Sequence, residues 1–150
     1  MGKLDFVPQV LASLGVQVLF HKVRQKPGKP FWFGKAKNKK LIFALPGNPV
    51  STQICAYRYV LPYLEKAVGL KQRKQTYAVL AQSFENKTGL TYFSPVKIFH
   101  QKRGKIEVQS VVTGGSGDYV SLAKADGFVE LSHSKMIYPK GELVRFYGWR

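Results

Sequence analysis

The residues best placed to do chemistry here are cations and backbone amides rather than acids or thiols. In "KVRQKPGKP" (22–30), Lys22 and Lys26 flank a turn stiffened by Pro27-Gly28 and Pro30. Two ammonium groups on a braced turn lose little freedom when they bind, so they suit an oxygen-rich anion. In "LPGNPVS" (45–51), Asn48 can accept from the first amides of a helix, and Pro49 suits the first helical position. Gly47 permits a backbone conformation closed to other residues and puts no side chain over the amides. Free N–H groups and the positive dipole end at such a corner also attract anions. Each motif has a plain structural reading beside the functional one. The basic run can be a solvated surface, and Asn-Pro is ordinary helix-start chemistry.

Two further stretches carry weaker signals. "VTGGSGDYVSLAKADG" (112–127) places Gly114, Gly115 and Gly117 around Ser116, an amide-rich loop able to cradle an oxyanion or simply to turn. Asp5 is one of two acids in the first half; it can cap the helix that follows or serve a metal or oxyanion site. His21, His100 and His133 lack metal-ligand spacing, and there is neither a Ser-His-Asp arrangement nor a Walker-type loop.

The elements that must hold these residues follow from periodicity. "FVPQVLASLG" (6–15) has helical spacing and ends in a glycine, and "VQVLFHKV" (16–23) reads as a strand. "FWFGKAKNKKLIFAL" reads as two short strands around a basic turn, and "LIFAL" is apolar enough for a strand covered on both faces. From Val50 to Val68 the apolar positions mark one helical face, and Pro62 should kink or interrupt that helix. Polar "GLKQRKQ" (69–75) is the expected boundary. Beyond it, "TYAVLAQSF", "TYFSPVKIFH", "KIEVQSVV", "GFVELSH" and "ELVRFYGW" alternate between turn signals, as in a small β sandwich or barrel. "DYVSLAKADG" is the one helical interruption.

A 150-residue chain with 13% aromatic residues can fold around a core. Its formal net charge of +16 is uneven: residues 1–74 hold 14 Lys/Arg against Asp5 and Glu65, and residues 75–150 hold 10 against six acids. From Lys22 to Lys40 there are eight bases and no acid. Cys55, the sole cysteine, excludes an internal disulfide and favours a reducing, cytoplasmic setting. No apolar run reaches the roughly 20 residues needed to span a bilayer. Charge alone admits a second reading, a basic nucleic-acid-binding module in which Phe31, Trp32 and Phe33 stack on bases, but no nucleic-acid motif accompanies it.

Together, "KPGKP", "LPGNPVS" and "GGSG…SLAKADGF" resemble the molybdopterin molybdenumtransferases, the MoeA family related to gephyrin and plant Cnx1. The resemblance covers essentially the whole chain and matches the family's C-terminal part. It implies an α/β plus all-β fold: residues 1–70 as the second half of a three-layer molybdopterin-binding domain, and residues 75–150 as a small barrel-like domain. It also implies insertion of molybdate into adenylylated molybdopterin with magnesium (Mg2+), releasing AMP, in a homodimer without membrane or nucleic acid. By the same resemblance Asp5 is the metal or molybdate carboxylate. Lys22 and Lys26 are the active-site lysines, and Pro46, Gly47, Asn48, Pro49, Ser51 and Ser116 bind substrate. A partial chain, inactive alone, is expected. Leu90 and Pro95 in "TGLTYFSPV" depart from the family, which often carries basic residues there.

Overall fold

The computed structural model describes residues 5–71, 73–102, 104–111 and 119–149. Helix α1 (Val7–Ser13) takes Pro8 in its first turn and is capped by Phe6 without a side-chain bond, so Asp5 is not its cap. Gly15, at φ +70°, reverses the chain into β1 (Gln17–His21). A two-residue strand, β2 (Gln25–Lys26), precedes β3 (Trp32–Lys35) and β4 (Leu41–Ala44). Strands β1, β3 and β4 form an antiparallel sheet in that order. Gly34 is needed there: a Cβ would lie 2.3 Å from the Trp32 ring folded across it. The four residues of β4 are all half-buried rather than covered on both faces.

One face of this sheet is finished by aromatic packing. Phe31 stacks on Tyr59 at 5.0 Å between ring centroids, and Phe43 meets Tyr63 at 5.2 Å. Both tyrosines lie on a continuous helical stretch: α2 (Pro49–Cys55), a π turn (Ala56–Val60) and α3 (Leu61–Ala67). The interruption expected at Pro62 is this π turn. Proline lacks a donor and its ring crowds the carbonyl four residues back; widening the preceding turn relieves both.

The five alternating runs of the second half become β5 (Thr76–Leu80), β7 (Thr91–Lys102), β8 (Lys105–Ser110), β9 (Gly127–Leu131) and β11 (Leu143–Gly148). They close into a barrel because β7 is 12 residues long and serves two neighbours. Its first part, Tyr92–Val96, pairs with β9, and its remainder, from Val96 onward, pairs with β8. β5 and β11 complete the circuit. Ala78, Leu80, Val96, Val108, Val129, Leu131, Val144 and Phe146 pack together as the core. Short strands β6 (Phe84–Glu85) and β10 (Ile137–Tyr138) pair beside it, and α4 (Tyr119–Lys124) precedes β9.

The two halves are welded across the polar joint at 69–75. Val50 and Ile54 of α2 pack against Phe93 and Phe128 of the barrel strands. Arg58 Nε donates to Glu130 Oε2 at 3.2 Å, and the Tyr147 hydroxyl donates to the same oxygen at 2.6 Å. In addition, β2 joins the barrel by pairing parallel with the start of β7. Among the described residues no helix is long and apolar enough to cross a membrane.

Candidate anion site

The register of the small sheet puts the two sequence motifs at one end. His21 pairs with Trp32, and Trp32 pairs with Ala44. The last residues of β1 and β4 therefore stand level, two strand spacings or roughly 10 Å apart. Lys22 follows the first, and "LPGNP" follows the second. Lys22 leaves its strand at φ +72°, unusual for a residue with a side chain, while its N–H donates to Phe31 O at 2.9 Å. The backbone is thus fixed at a conformation that carries a cost of order 1–3 kcal/mol.

At the corner, Asn48 is extended (φ −73°, ψ 124°) and its Oδ1 accepts from Ser51 N at 3.0 Å and Ser51 Oγ at 3.1 Å. Thr52 Oγ1 donates to Pro46 O and to Asn48 O. These bonds, with Pro49 in the first turn, make the bend rigid. Pro46 is buried, Gly47 exposed, and Ser51 is buried with its hydroxyl committed to the cap. Gly47 departs from the conformational expectation. Its φ is not left-handed and a Cβ there would meet nothing within 4 Å, because Asn48 and Pro49 set the turn. What glycine supplies at that position is open space.

Lys26 is exposed on β2, opposite Tyr92 of the barrel. Between Arg24 and Lys26 lies Gln25, only 2% exposed. Its Nε2 donates to Pro27 O at 3.0 Å and to Cys55 Sγ at 3.6 Å, and its Oε1 accepts from the Tyr59 hydroxyl. The lysine turn is thereby tied to the helix that starts at the corner. Sequence reading missed Gln25 and Tyr59. The available signal was small: one neutral polar residue inside a run of bases. Burial pushes the Cys55 thiol up to about 11, with the Gln25 bond pulling weakly the other way, so Cys55 stays protonated and unreactive at neutral pH.

The positive potential is not neutralised locally. Among the described residues none of the eight bases from Lys22 to Lys40 forms an ion pair. Asp5 is exposed before α1 and makes no bond with the lysine turn. No group of three His, Cys, Asp or Glu side chains is poised for a metal among the described residues. A single carboxylate does not by itself build a magnesium site, which takes six oxygens. Ser116 and its glycines lie outside the described residues. Leu90 immediately precedes β7, next to Thr91, whose N–H donates to Arg24 O at 3.1 Å; Pro95 is buried within β7. A cleft of about 450 Å³ opens between the helix and β11, lined by Tyr57, Arg58, Glu65, Lys74 and Tyr147. None of the site residues named from sequence lines it.

The stacking platform of the nucleic-acid reading is absent. Phe31 and Trp32 are 1% and 2% exposed, and Phe33 packs on Phe20 and Phe43.

Comparison with known proteins matches the chain to two adjoining family regions. Residues 1–66 match a family described as "Probable molybdopterin binding domain", and residues 77–149 match "MoeA C-terminal region (domain IV)". A molybdopterin molybdenumtransferase of Synechocystis is 40% identical over 149 residues, 99% of this chain and 36% of that protein. The chain belongs to the MoeA family. A molybdopterin molybdenumtransferase of Haemophilus influenzae is 36% identical over 96% of this chain and 36% of its own length. A solved molybdopterin biosynthesis MoeA protein of Pyrococcus superposes with a TM-score of 0.80 at 28% identity, covering 97% of this chain and 35% of that one. The MoeA-like chain thus spans about a third of the length of these relatives.

Proposed function

We propose that this chain carries the oxyanion-binding part of a molybdopterin molybdenumtransferase, which inserts molybdate into adenylylated molybdopterin in molybdenum cofactor biosynthesis. Two observations support the reading: strand register sets Lys22 level with the Pro46–Pro49 corner, and the Gln25–Cys55 bond ties the turn bearing Lys26 to the helix that starts there, with no acid in that loop to neutralise the lysines. Lys22 and Lys26 offset the charge of molybdate and of the substrate phosphate. The corner supplies backbone amides, and the open space at Gly47 admits close approach. Such groups are effective because their geometry is set before the anion arrives. Asn48, Pro49 and Ser51 act by holding the corner in shape, with Pro46 packed behind it.

Asp5 and Ser116 are assigned to the same site from their motifs. Magnesium, when bound, would neutralise phosphate oxygens; Asp5 would offer one oxygen, with substrate phosphate and water supplying the rest. The division at residues 70 and 75, a homodimeric assembly and a cytoplasmic setting belong to the same reading, the last supported by the lone reduced Cys55. The test is molybdate-dependent cofactor formation by the full-length protein. Lys22→Ala and Lys26→Ala should each lower it about 100-fold or more, in line with the loss of one preorganised charge. Near-normal rates in both would overturn the assignment.

A further inference from the structure

The lysine turn and the corner helix meet through one side chain. Gln25 is buried, yet it is flanked on both sides by exposed cations, Arg24 and Lys26. Its amide is used in three directions: to Pro27 O inside the turn, to Cys55 Sγ and to Tyr59, both on the helix that begins at Pro49. The fit leaves no slack. A Cβ on Gly28, which sits at φ +95°, would lie 2.6 Å from Gln25 Nε2 and 2.8 Å from Cys55 Sγ. An apolar side chain of similar length could fill this space, but it would carry no directional bond. Three directional bonds fix both the rotation of the turn and its height above the helix.

We infer that Gln25 is a positioning residue that sets Lys26 against the Pro46–Pro49 corner. This rests on the proposed role of Lys26. With Gln25 turned inward, the neighbouring side chains Arg24 and Lys26 are driven outward, and pairing of β2 with β7 fixes the same stretch from the barrel side. The turn is therefore referenced to two rigid bodies at once, and a shift of about 1 Å in such a group costs on the order of 100-fold in rate.

The test uses the full-length protein and four variants: Lys26→Ala, Gln25→Leu, Tyr59→Phe, and Gln25→Leu combined with Tyr59→Phe. Removing one partner leaves the other unsatisfied, whereas removing both relieves that penalty. The double variant should therefore regain most of the melting temperature lost by Gln25→Leu. Its kcat/KM should nonetheless stay about 10- to 100-fold down, through a raised KM for the anionic substrate. If the double variant recovers rate together with stability, or if Gln25→Leu turns over normally, Gln25 is only a packing residue and the inference falls. Near-normal activity of Lys26→Ala sinks the site assignment and this inference with it. An inactive Lys26→Ala beside a fast double variant sinks this inference alone.

Discussion

In the barrel, Phe93, Val96, Val108, Phe128, Val129 and Leu131 are each at most 1% exposed, whereas Val10, Leu14, Val18 and Leu19 in the first helix and strand are 48% to 69% exposed. The same chain builds a closed unit that satisfies its own core and an open sheet finished on one side by a helix. The charges follow this division, with 14 bases against two acids before residue 75 and 10 against six after it. Rigidity and the anion-binding potential thus come from different halves. The rigid half holds the helix of the other through Phe93, Phe128 and Glu130, and so fixes the corner from which that helix starts.

The sharpest way to break this contrast is truncation on each side of it. Phe128→Ala should cost about 3–5 kcal/mol, because Phe128 is fully buried, stacks on Tyr147 and packs against α2. Leu14→Ala should change stability by about 0.5 kcal/mol or less. Denaturant midpoints at matched slopes check both, and equal costs would dissolve the distinction.

Alkaline pH probes the seam between the halves. The Cys55 thiol ionises near 9.0 when unfolded and at about 11 in the folded protein, so between those values the unfolded chain holds fewer protons. The stability contributed by Cys55 must then decline as pH rises from 9 to 11 and level off above. Burial raises Tyr59 and Tyr92 in the same direction, adding to the decline. Cys55→Ala should flatten part of this slope; an unchanged slope in urea unfolding would show that the thiol is not the source.

The smallest stability effect separates two lysines in the same conformation. Lys22 (φ +72°) and Lys39 (φ +65°) both occupy the left-handed region. Replacing either with glycine should gain up to about 1 kcal/mol by relieving its backbone. Only Lys22→Gly should abolish cofactor formation. Strain at Lys22 without a functional cost of removal would mean that its conformation serves the fold alone.

Local patterns in the sequence were legible. All five barrel strands were visible as alternating runs, because each alternates across a surface that is half core. The basic turn between β3 and β4, the helical interruption at 119–124 and the break at Pro62 follow from equally local rules. Barrel closure was not legible, since it depends on β7 serving two partners far apart in sequence. The double coverage expected for "LIFAL" failed because its strand has neighbours on one side and a helix on one face only. At the site, the convergence of Lys22 with Asn48 follows from strand register, and Gln25 from burial, neither of which a motif encodes. The Gly47 expectation failed because glycine at a turn can supply space without supplying an unusual φ.

The proposed oxyanion site lies between the Lys22 and Lys26 ammonium groups and the Pro46–Pro49 corner. Crystals of the full-length protein soaked with molybdate, measured for anomalous scattering from molybdenum, test it directly. A peak is expected within bonding reach of the Lys22 and Lys26 ammonium groups and facing the corner, lost in the Lys22→Ala, Lys26→Ala double variant. A peak elsewhere that persists in that variant would contradict it.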